Sequence, residues 1–75
     1  MDLVDFMINV HPDLAEVRRV ELENEMGEMD GIFSAHFSPV SHHMLEVAYN
    51  PDVVSASNIM AFVGSRGIEA GKIGL

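Results

Sequence analysis

Val4, Phe6, Ile8 and Val10 alternate strictly with Asp5, Met7, Asn9 and His11, and this alternation is the first constraint on how the chain can fold. A period of two marks a strand with one buried face, so residues 4–10 are expected to form one. His11-Pro12-Asp13 ends it. Proline suits the first turn of a helix, and Asp13 and Glu16 suit the positive end of the helix dipole. Residues 13–29 then hold no further proline and one glycine. Leu14, Ala15, Val17, Leu22, Met26 and Met29 recur there mostly at helical intervals, with Glu21, Glu23, Glu25 and Glu28 around them. That is an amphipathic helix whose period is imperfect around Arg18–Val20. Asp30-Gly31 closes it, glycine providing the left-handed conformation of a helix exit.

Alternation resumes over Ile32–Ser38, with Phe33, Ala35 and Phe37 on one face and Ser34, His36 and Ser38 on the other. Pro39-Val40-Ser41 turns the chain into a third strand from His42 to Tyr49, with Leu45, Val47 and Tyr49 inward. A three-residue loop would set Phe33 against Val47, Ala35 against Leu45 and His36 against Met44, and a one-residue slip would put Phe33 opposite Glu46. Asn50-Pro51-Asp52 breaks that strand. Ser55 is a fair N-cap for a second helix through Ile59, Met60, Phe62 and Val63, stopped by Gly67. Ile68–Ile73 gives a short last strand, weakened by Gly71. The expected fold class is α+β: a β-α-β-β-α-β, ferredoxin-like sandwich with a four-stranded antiparallel sheet and two helices on one face.

Composition bounds what such a fold can do. Residues 1–75 allow one domain, and a chain of this length buries only about 60% of its unfolded surface. A hydrophobic fraction of 48% and a mean hydropathy of +0.18 are those of a folded chain. There are no cysteines, which removes disulfides, thiolate nucleophiles and every cysteine-based metal site. Cysteine absence fits a reducing compartment, and no basic residue precedes Arg18 as a secretion leader requires, so a cytoplasmic location is expected. No apolar stretch approaches the ~20 residues of a membrane span, so no membrane role is expected. Twelve acids against Arg18, Arg19, Arg66 and Lys72 leave a net charge of −8, which repels phosphate backbones and argues against nucleic-acid binding.

Val47-Ala-Tyr49-Asn-Pro51, followed by Val54-Ser55, Ile59, Phe62-Val63, Gly67-Ile68 and Ala70, resembles the second half of a heavy-metal-associated domain. That family ends a strand on V-x-Y-[DN]-P, then runs a serine-capped helix and a glycine followed by a large apolar residue. Met26, Met29, Gly31 and Ile32 are similar to its first helix end and its entry into strand two, so the resemblance spans roughly residues 6–73. It implies the ferredoxin-like fold and a metal-associated role. The family's Met-x-Cys-x-x-Cys loop, however, falls on Ala15 and Arg18. Neither can replace a thiolate toward Cu(I), so the family's copper-chaperone mechanism does not carry over.

The remaining candidate chemistry is histidine. His36, His42 and Met44 phase to the sheet face opposite the core, with His43 beside them; His11, Met7 and Glu46 share that face. Imidazoles with a carboxylate suit Zn, Ni or Cu(II), and a thioether extends the set to Cu(I). The candidate metal ligands are therefore His36, His42, His43, Met44, His11 and Glu46. The plainer account is that a solvent-facing sheet must carry polar residues of some kind. The same face could instead dock a protein partner or form a homo-oligomer, since methionines adapt to varied contacts and burial would assist a small core. Arg18-Arg19 and the acids of residues 21–30 read as solvated helix surface. Ser34, Ser38 and Ser41 lie near His36 and His42, but catalysis needs a water-excluding pocket that an open sheet does not offer, so the chain is not expected to be an enzyme.

Overall fold

The opening alternation is realised as β1, Val4–His11, in which Phe6, Ile8 and Val10 are buried. A computed structural model describes residues 3–11 and 13–73; the expected role of Pro12 in opening the first helix lies outside them. After β1 come α1 (Glu16–Gly27), β2 (Ile32–Phe37), β3 (Met44–Tyr49), α2 (Ala56–Ser65) and β4 (Glu69–Ile73). The four strands form one sheet in the order β2-β3-β1-β4, every neighbour antiparallel. Leu22 and Met26 of α1 and Ile59 and Val63 of α2 pack on the inward residues of that sheet, Ile8, Val10, Leu45 and Val47 among them. Phe6 and Tyr49 meet edge to face at 5.4 Å within the same cluster. Both helices thus cover one face of the sheet, the ferredoxin-like arrangement that the element order predicts.

Three local features depart from the sequence reading. First, α1 begins at Glu16 rather than residue 13, and its inward stripe is Arg19, Leu22, Glu23 and Met26. Val17 is 69% exposed. Arg19 takes the place of an apolar residue because its Nη1 donates to the Leu14 carbonyl at 2.6 Å, which fastens the chain ahead of the helix to its first turn. The irregular period around Arg18–Val20 reflects this. Second, Glu23 is not solvated surface: its Oε2 accepts the Phe37 N–H at 2.7 Å. β2 is an edge strand, and a carboxylate on one of its outward N–H groups both joins α1 to the sheet and blunts the edge.

Third, the β2–β3 register is two residues away from the expected one. Ala35 pairs with Val47, His36 with Glu46 and Phe37 with Leu45. The loop is longer than three residues because Ser38 Oγ accepts from the N–H groups of Val40 and Ser41, both at 3.2 Å, and Met44 N–H donates to the Ser41 carbonyl. Residues 42 and 43 stay in this turn, so β3 starts at Met44 and not at His42. A shift of two leaves every side chain on its expected face, which alternation alone could not detect. The register also slips between Ile32 and Ser34, leaving Phe33 as the extra residue of a bulge. Phe33 is therefore 72% exposed rather than in the core.

The second helix forms as read. Ser55 has extended backbone, and its Oγ accepts the Asn58 N–H at 3.1 Å. Ser55→Ala removes that cap and is expected to cost about 1 kcal/mol. In a domain of this size that lowers the thermal midpoint by about 4–8 °C; a calorimetric midpoint within about 1 °C of the parent's would show that the cap contributes nothing.

Candidate functional site

With both helices on one side, the opposite face of the sheet is left to side chains of the other phase. One row across it runs His36 on β2, Glu46 on β3, Met7 on β1 and Ile73 on β4, each directly opposite the next. The His36 Nε2 lies 3.2 Å from Glu46 Oε1, with 57% and 43% of the two side chains exposed. The neighbouring row is short: Ser34 faces Ala48, and Ala48 faces Asp5. A shallow groove of about 580 Å³ lies over these two rows, lined by Asp5, Met7, Ser34, His36, Glu46 and Ala48.

The two-residue register shift decides what this site is. In the expected register His36 would face a thioether. The longer loop instead puts the Glu46 carboxylate beside its imidazole. Of the other candidate ligands, Met44 shares the face one row further along β3, opposite Asn9. His42 is exposed in the turn, outside any strand. His43, also in the turn, has its Nδ1 4.0 Å from Asp13 Oδ1, while its carbonyl accepts the Val10 N–H. His11 ends β1 opposite Glu69. The six residues thus divide into one close pair, a neighbouring methionine and three histidines away from that pair's row. Among the described residues, no three His, Asp or Glu side chains gather as a metal-holding group. Asp5 was not among the candidates, although its phase with Met7 already placed it on this face.

The start of α1, where the family resemblance would place its metal loop, offers no donor set. Ala15 occupies the N-cap without a side-chain hydrogen bond. Arg18 turns its guanidinium to protein oxygens: Nη1 meets Glu21 Oε1 at 3.4 Å, and Nη2 donates to the Arg66 carbonyl at 3.4 Å. Arg66 caps α2, so Arg18 answers the unpaired carbonyls of that helix end. Arg66 in turn stacks on Phe62, 4.7 Å from the ring centre, and reaches Glu25 at 3.4 Å. With an alanine at the N-cap and a guanidinium already committed to protein oxygens, the start of α1 does not fit Cu(I), which thiolate ligands select. No helix among the described residues is long and apolar enough to cross a membrane.

No protein-family model matches the chain, and no curated protein matches it. Solved structures do. A copper binding domain from HMA7, a P-type ATPase, superposes with a TM-score of 0.81 at 17% identity, over 93% of each chain. Oxidized MerP from Ralstonia metallidurans CH34 superposes with a TM-score of 0.84 at 7% identity, over 97% of this chain and 100% of that one. At such identities the likeness is one of backbone, and the chain shares the fold of these two structures, the ferredoxin-like arrangement described above.

Proposed function

We propose that this domain is a metal-associated binding domain that holds a divalent transition-metal ion on its open sheet face, through His36 Nε2 and Glu46 Oε1. The observation that carries this reading is their separation. Two ligands bound at about 2.0–2.2 Å to one tetrahedral zinc stand about 3.4 Å apart, and these two atoms are 3.2 Å apart on a face open to solvent. Imidazole with carboxylate suits zinc, nickel and copper(II) alike. The fold, shared with a copper binding domain, supports a metal-associated role. The ordinary alternative is a surface contact between an imidazole and a carboxylate, which stabilises a protein by less than about 1 kcal/mol. Metal uptake separates the two.

Chelator-treated protein titrated with zinc, nickel and copper(II) in a calorimeter is expected to bind zinc through this pair. Outer contacts of a metal site already govern affinity by about 10–100-fold, so losing a direct donor in His36→Ala or Glu46→Gln should weaken binding by about 100-fold or more. His42→Ala and His43→Ala should leave it unchanged. Absence of uptake of all three ions, or equal loss from the turn histidines, would refute the assignment.

A further inference from the structure

We infer that a second copy of the chain completes this site: two molecules meet open face to open face, and each gives His36 and Glu46 to one shared zinc ion. The inference rests on the proposed metal reading and deepens it. Zinc in closed protein sites is almost always bound by four ligands. The pair supplies two, and among the described residues no third His, Asp or Glu side chain joins it. A twofold axis through the ion doubles the pair to two imidazoles and two carboxylates, because the same patch serves both partners.

The face is shaped for such an approach. Beside the pair, Ser34 and Ala48 are short and rise little above the backbone. Facing sheets pack about 10 Å apart, a gap of the order that two imidazoles bonded to one ion can span. Met7 and Ile73 continue the row of the pair, with Met44 one row away, and flexible thioethers fill irregular contacts. The molecule measures 33 × 23 × 20 Å, so only a contact that covers most of the open face approaches the about 800 Å² per partner of a standard interface.

Charge makes the association conditional. Each chain carries a net −8, and Asp5 and Glu46 sit on the meeting face. Two such faces repel one another. A divalent cation held by both Glu46 carboxylates offsets that repulsion where it is strongest, so zinc should switch a monomer to a dimer.

The test uses the full chain in sedimentation velocity, first with chelator and then with zinc chloride. Expected are a monomer in chelator and a dimer once about half an equivalent of zinc per chain is bound. Zinc-edge X-ray absorption should then show two imidazoles on each ion. His36→Ala and Glu46→Gln, both at exposed positions, should stay monomeric at the same zinc concentration. One zinc per monomer with a single imidazole would overturn this inference and leave the metal reading standing. No zinc uptake would overturn both. A dimer already present in chelator and unchanged by zinc would overturn the metal bridge. The stoichiometry and the absorption spectrum are read on the parent chain, so they decide the matter even if a variant fails to fold.

Discussion

Leu45→Ala is expected to destabilise the domain by about 3 kcal/mol, within the roughly 2–5 kcal/mol measured for comparable truncations in other cores. Leu45 is fully buried. It lies on the inner strand β3, opposite Ile8 on one side and Phe37 on the other. Its side chain thus faces helices above and strands on both flanks, and a cavity there has little means of collapse. The size of the protein magnifies the effect. At about 0.05–0.15 kcal/mol per residue, a chain this long has roughly 4–11 kcal/mol in total, so one truncation removes a large share of it. The thermal midpoint should fall by roughly 12–24 °C, three times the shift per kcal/mol for such domains. Leu45→Met nearly keeps the volume and should cost less than about 1.5 kcal/mol. Val53→Ala, at a residue 57% exposed, should stay within about 0.5 kcal/mol of the parent. If urea midpoints placed Leu45→Ala beside Val53→Ala, the sheet packing described for β3 would be wrong.

Much of this fold was legible in the sequence, for a specific reason. β1 and β3 each bury one face under the helices, so a large aliphatic or aromatic residue recurs at every second position, and that recurrence shows which side faces in. It does not show which residue on the next strand lies opposite. That depends on the loop, where a single hydroxyl, Ser38 Oγ, gathers two N–H groups and lengthens the connection. The candidate site suffered most from this. Its face was correctly anticipated for His36 and Glu46, while their direct pairing was hidden behind an expected pairing of His36 with Met44. His42 and His43 were misplaced by the same loop. Phe33 shows the opposite limit, since its residue type and phase both point inward, and only the slip between Ile32 and Ser34 sends it out. In α1 the obstacle was a side chain acting out of type: Arg19 on the inward stripe is tolerable only because the Leu14 carbonyl receives it.

Gly31→Ala should be nearly as damaging as the core truncation, through a different mechanism. The sequence marks Gly31 and Gly67 alike as exits from a helix, and both have positive φ, 93° and 76°. An L-residue in that region costs about 1–2 kcal/mol. The surroundings differ. A Cβ on Gly67 meets nothing within 4 Å, whereas one on Gly31 would lie 2.7 Å from Val54 Cγ1 and 3.0 Å from Val53 Cβ. Val54 is buried, and a β-branched side chain has little rotameric freedom with which to withdraw. Its backbone is also restrained, because Val53 and Val54 donate to the Asn50 carbonyl and Asn50 N–H donates to the Gly31 carbonyl at 2.7 Å. The turn leaving β3 is thereby held against the turn entering β2, and an added methyl must push them apart. Overpacking of this kind costs about 1–3 kcal/mol beyond the backbone strain. Gly31→Ala is thus expected to lose roughly 2–5 kcal/mol and Gly67→Ala about 1–2. The difference between the two, read from chemical denaturation at one temperature, measures how firmly these turns are pressed together. Equal losses would mean that the Val53–Val54 segment gives way freely and that the close approach at Gly31 carries no constraint.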